Sequence, residues 1–128
     1  LLSGDRETFA RKWESQPVLR WGRPPSPALR DHLRERRRSQ DPVGLAHSLM
    51  ACGSGVLPAL WKDLPKLPPA WCLTGSLDER FCGLARRMNA LNRRMRLLQV
   101  AGCGHAPHLE DPEAVADTLR RSGAYFCH

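Results

Sequence analysis

Apolar residues recur at helical spacing through the first half of the chain. Near Pro65 the pattern changes to strand-like and helix-like runs in alternation. The first predicted helix runs from about Asp5 to Ser15, with Phe9 and Trp13 one turn apart on one face and Pro17 as its stop. Gly22 to Pro27 holds three prolines and reads as a loop. Ser26 then offers an N-cap, with Pro27 at the first helical position. That second helix carries Leu29 and Leu33 on one side and arginines on the other. Asp41 and Pro42 repeat the start signal. The helix they open is expected to bury Val43, Ala46, Leu49 and Met50 and to end at Gly53 or Gly55. A short helical turn is predicted over Pro58 to Leu64.

In the second half, Ala70 to Thr74 is an apolar run closed by Gly75, which suggests a strand. Ser76 and Glu79 have capping-box spacing. The helix that follows sets Phe81, Leu84, Ala85, Met88 and Leu91 on one face. Arg96 to Val100 is the second strand. Asp111, Pro112 and Glu113 start a last helix, with Ala114, Val115 and Leu119 inward and Gly123 past its end. Strand, helix, strand is a βαβ unit, so the class is α/β with parallel strands. Parallel sheets are normally covered on both faces and hold more than two strands. Two strands alone leave edges unpaired. The expectation is therefore a helical segment over 1–64, followed over 65–128 by an incomplete core whose other strands lie upstream. A first residue of Leu1 agrees with that expectation.

Charge changes this picture little. The 128 residues carry a formal net charge of +7, which invites anionic partners. Much of the excess sits at Arg34 to Arg38 and Arg86 to Arg96. Few aromatics interleave with these arginines, so a base-stacking nucleic-acid platform is disfavoured. No apolar run reaches the length of a membrane span. The five cysteines, Cys52, Cys72, Cys82, Cys103 and Cys127, are odd in number and form no CxxC pair. They read as mostly buried free thiols in a reducing compartment, with no disulfide framework and no structural metal site.

The chemistry-bearing residues follow the two strands. In an open α/β sheet, ligands bind outside the carboxyl ends of the strands, where Asp78 and His105 both fall. An acid followed by a histidine on adjacent strand ends matches the second half of the order Ser, Asp, His. The carboxylate holds the imidazole in one tautomer and stabilises the imidazolium. Gly102 and Gly104 allow a sharp turn before His105. Asp78 taken alone reads first as a cap of the helix that follows it. His105, His108 and Glu110 could suggest a metal, but HxxH in a broken loop without an obvious further ligand is a weak zinc signal.

TGSLDERF and VAGCGHAPHLEDPEAV resemble the acid loop and histidine loop of α/β hydrolases. FARKWESQPVL and LRERRRSQDPVGLAHSLMACGSGVLPALWKDL resemble, more narrowly, the 2-succinyl-6-hydroxy-2,4-cyclohexadiene-1-carboxylate synthase family of menaquinone and phylloquinone biosynthesis. The resemblance covers Phe9 to about Leu119. It implies a C-terminal part of a lyase, with Phe9 to Leu64 as a helical cap over the site. The reaction implied removes a proton from a cyclohexene and expels pyruvate, with a triad serine as base made basic by His105 and Asp78. No cofactor is implied. Arg37 would bind a substrate carboxylate, which suits a guanidinium, and Trp13 would line the pocket. For Arg37, a solvated charge beside Arg36 and Arg38 stays open. The compartment implied is a bacterial cytoplasm or a plant or algal chloroplast stroma. The nucleophile's strand-turn-helix and the oxyanion-hole loops are absent, so the missing N-terminal half of the fold is an expected partner. Another esterase or carbon–carbon bond hydrolase, and a non-catalytic basic module, are the alternatives.

Overall fold

Two start signals, Ser26-Pro27 and Asp41-Pro42, place the second and third helices of the computed structural model, which describes residues 6–123. The start of the first predicted helix at Asp5 and the Tyr125–His128 ending, with Cys127, lie outside the described residues. Helix α1 spans Arg6–Glu14, α2 Pro27–Arg38 and α3 Pro42–Cys52. Ser26 accepts the Leu29 N–H at 3.2 Å, and Asp41 accepts those of Val43 and Gly44 at 3.3 and 2.7 Å. These side chains satisfy donors that the first helical turn leaves unpaired.

The chain divides into two compact units. The first holds the described residues up to Gln16 together with Ser26–Ala59. Its first two helices are joined by a ladder of opposite charges: Glu14 takes Arg37 at 2.6 Å and Arg34 at 3.5 Å, and Glu7 takes Arg38 at 2.6 Å. Of the four residues expected to be buried on α3, only Ala46 is; Val43, Leu49 and Met50 are exposed. The apolar positions of α3 run around its circumference, so the pattern alone does not select an inward face.

The second unit holds Pro17–Pro25 and the chain from Leu60 onward. A 3-10 helix covers Trp61–Lys66, later than the predicted turn, with Pro65 inside it. Strand β1 (Ala70–Gly75), helix α4 (Glu79–Leu91) and strand β2 (Met95–Val100) follow. The two strands pair in parallel, from Ala70 opposite Met95 to Gly75 opposite Val100. Short helix α5 (Pro107–Glu110), which the Gly- and Pro-broken pattern reads as loop, leads into α6 (Pro112–Arg121). Asp111 caps α6 through the Ala114 N–H at 2.9 Å. Gly123 closes it at φ +70°, a left-handed conformation suited to glycine.

Helix α4 packs on both strands and α6 on β2. The core of this unit comprises Leu64 of the 3-10 helix, Cys82 and Ala85 of α4, Met95 and Val100 of β2, and Cys103 beyond it. Buried Asn92 ties the elements together. Its amide donates to the Leu64 and Leu67 carbonyls at 3.0 and 3.3 Å, and its carbonyl accepts the Arg94 N–H at 3.0 Å. Two residues expected on the inward face of α4, Phe81 and Leu91, are exposed. Among the described residues no helix is long and apolar enough to cross a membrane.

Candidate functional site

Both strands end in tight turns that face one another. After β1, the Ser76 N–H donates to the Val100 carbonyl and the Leu77 N–H to that of Cys103, each at 2.9 Å. After β2, the Gly102 N–H donates to Ser76 Oγ at 2.9 Å. Ser76 therefore stitches the two loops and does not cap α4. The expected capping box is replaced by Asp78, whose Oδ1 accepts the Phe81 N–H at 3.1 Å.

The other oxygen of Asp78 does something different. Its Oδ2 lies 2.9 Å from His105 Nδ1. One carboxylate thus starts a helix and orients an imidazole, so the two readings of Asp78 coexist. The Asp78 side chain is 9% exposed and that of His105 31%, which leaves the acid sheltered and the ring reachable. The Phe81 ring packs on the imidazole, with centroids 4.8 Å apart. With Nδ1 engaged by the carboxylate, Nε2 is the nitrogen available to a proton donor.

Backbone packing beneath His105 explains the glycines. Gly102 has φ +71° and makes the turn. Gly104 does not turn; its role is close approach, since a Cβ there would lie 2.4 Å from the Arg20 carbonyl oxygen and 2.7 Å from the Gly22 nitrogen. The Pro17–Pro25 segment passes directly under the histidine loop, and the Arg20 carbonyl accepts the His105 N–H at 3.4 Å. Two recesses meet at the Asp78–His105 pair. One, about 220 Å³, lies between β1 and α4 and includes Cys72, Thr74, Leu84 and Met88. The other, about 390 Å³, opens beside Val18, Arg20, Leu77 and Arg80.

The structure brings Asp78 and His105 together. Trp13 and Arg37 belong to the other unit. There Trp13 is 42% exposed, with its ring 6.0 Å from that of Phe9, and Arg37 Nη1 donates to Glu14 at 2.6 Å. Arg37 is thus an ion-paired residue rather than a freely solvated one. Glu110, which in the sequence stands out only through its spacing to His105 and His108, is buried, and its carboxylate accepts backbone N–H groups. Cys103, fully buried beside it, has its thiol pKa raised, first by burial and then by the negative charges of Glu110 and Asp111, with Arg23 opposing.

The model of the alpha/beta hydrolase family matches residues 2–118. Over 113 residues the chain is 28% identical to a putative 2-succinyl-6-hydroxy-2,4-cyclohexadiene-1-carboxylate synthase of Bacillus subtilis (strain 168), covering 88% of this chain and 41% of that protein. The solved structure of MenH from S. aureus superposes with a TM-score of 0.77 at 28% identity, covering 91% of this chain and 46% of that one. The chain spans less than half the length of either protein.

Proposed function

We propose that this chain, which belongs to the alpha/beta hydrolase family, supplies the acid and the histidine of a Ser-His-Asp triad in a lyase. The reaction is the elimination of pyruvate that yields 2-succinyl-6-hydroxy-2,4-cyclohexadiene-1-carboxylate. The family is read from the sequence match, and the lyase reading rests on the likeness to the Bacillus subtilis protein. The observation that carries the chemistry is the 2.9 Å approach of His105 Nδ1 to Asp78 at the carboxyl ends of two parallel strands.

The serine comes from a segment outside this chain. His105 Nε2 takes its proton, and Asp78 stabilises the imidazolium that forms. The serine oxygen then removes a proton from the cyclohexene ring, the C–H electron pair forms the new ring double bond, and the carbon–oxygen bond breaks to release the enolate of pyruvate, which takes the proton held by His105 and tautomerises to pyruvate. Arg37, whose Nη1 donates to Glu14, binds a substrate carboxylate, which suits a guanidinium, and Trp13 lines the pocket. No metal or cofactor takes part.

The test is to join the chain to the nucleophile-bearing half of a relative and to follow pyruvate with a coupled assay. Turnover is expected from the joined protein and not from the chain alone. It should disappear on His105→Ala. Pyruvate release by the isolated chain, abolished by His105→Ala, would overturn the reading. Ester hydrolysis without pyruvate release would move the protein to another branch of the family.

A further inference from the structure

Glu110 has no part in the chemistry above, yet it is only 6% exposed, in the last turn of α5. Its Oε2 accepts the N–H groups of Gly22 at 2.8 Å, Arg23 at 2.7 Å and Gly104 at 2.8 Å. Its Oε1 accepts that of Ala106 at 3.2 Å. Two of these donors flank His105 on either side. The other two lie in the Pro17–Pro25 strap, some 88 positions away in sequence. One buried carboxylate therefore gathers the backbone before and after the histidine and the strap beneath it onto a single point.

The chemistry of the cluster selects a carboxylate. All four partners are N–H donors, so the acceptor must offer lone pairs in several directions and no hydrogen of its own. An amide in the same place would turn an NH2 toward at least one donor. Charge-assisted bonds of this kind are roughly twice as strong as neutral ones. Donor hydrogens converging on Oε2 also repel a cation, which removes Glu110 from any metal site with His105 and His108. The strap is fixed again by the Arg23–Asp111 ion pair at the start of α6.

We propose that Glu110 is a positioning residue for His105. By holding residues 104, 106, 22 and 23 together, it sets the loop height at which the imidazole meets Asp78. Its catalytic consequence rests on the triad reading above, but the positioning is measurable without substrate.

The experiment is solution NMR on the isotope-labelled chain. In the unmodified protein, hydrogen-bond scalar couplings should link the Gly22, Arg23 and Gly104 amides to the Glu110 side-chain carboxylate carbon. The His105 Nδ1 proton should give a downfield resonance that Asp78→Asn shifts or removes. Glu110→Gln should weaken or abolish that resonance at temperatures where the β1 and β2 amides stay protected, and Glu110→Asp should retain part of it. A merely structural role predicts a lower melting temperature with the His105 resonance intact below it, and that result overturns the proposal. So does a lack of couplings to Glu110 in the unmodified chain, which decides the matter if Glu110→Gln does not fold. In the joined enzyme, Glu110→Gln should lower kcat by about 10–100-fold with little change in KM, the scale expected for a displaced catalytic group. Absence of pyruvate turnover would count against the lyase reading alone and leave these spectra as they are.

Discussion

Asp78 divides its two oxygens between a helix and an imidazole, and the division makes its two roles separable. Asparagine is itself a good N-cap, so Asp78→Asn should preserve α4 and change the melting temperature little. It removes the charge that holds the His105 tautomer, and in the joined enzyme kcat should fall by about 10⁴-fold, the loss typical of that substitution in a triad. Asp78→Ala should lose both, with about 1 kcal/mol of stability gone as well. Unequal melting temperatures with equal activity loss are the expected pattern in calorimetry and pyruvate assay. The cysteines give a second residue-level prediction. Among the described cysteines Cys52 is exposed, whereas Cys82 and Cys103 are buried, so a thiol reagent should label Cys52 before those two, and Cys103 only as the chain opens. Because burial raises the Cys103 thiol above its ordinary value of 9.0, the folded state keeps this proton after the unfolded state has lost it. That contribution to stability is full below about pH 9 and falls as pH rises beyond it. Urea midpoints measured from pH 8 to pH 10 should decline, and by less in Cys103→Ala.

Among the elements, the caps were plain in the sequence because capping is local. Ser26, Asp41 and Asp111 sit two or three residues from the donors they satisfy. Ser76 misled for a related reason: its spacing to Glu79 fits a capping box, but a nonlocal partner, the Gly102 N–H, claims its hydroxyl. The amide of Asn92 is a similar case, since the Leu64 and Leu67 carbonyls to which it donates lie 28 and 25 positions earlier, beyond any local pattern. Asn92→Ala removes three hydrogen bonds of a buried side chain, to the Leu64 and Leu67 carbonyls and from the Arg94 N–H, and should cost about 1–3 kcal/mol in urea denaturation. Gly104→Ala should destabilise on a comparable scale, about 1–3 kcal/mol, because its Cβ meets backbone that cannot step aside. Equal stability of either variant to the parent chain would contradict the packing described for the second unit.

For the whole molecule, exposure says what the second unit lacks. Trp71 of β1, Leu97 of β2, and Phe81 and Leu91 of α4 are all at least 36% exposed. A two-stranded parallel sheet is marginal by itself, and apolar surface on this scale usually marks an interaction site or an aggregation hazard. The isolated chain should bind a hydrophobic dye and unfold at low denaturant. Joining the nucleophile-bearing half should suppress the dye signal and raise the midpoint. Dye binding unchanged by the junction would mean that these side chains are covered by something else or by nothing.

The βαβ order, the helix starts at Ser26, Asp41 and Asp111, and the two loops that carry Asp78 and His105 are legible in the residues alone. Each of these follows from short-range periodicity, capping and turn chemistry, written within a few residues of one another. Tertiary structure alone decided which apolar faces are covered, that the Pro17–Pro25 strap lies under the histidine loop, and that Glu110 gathers four backbone donors around it. Those outcomes depend on groups tens of residues apart arriving at one place. A carboxylate accepts an N–H equally well from any part of the chain, so residue type and spacing carry no mark of which donor it will meet.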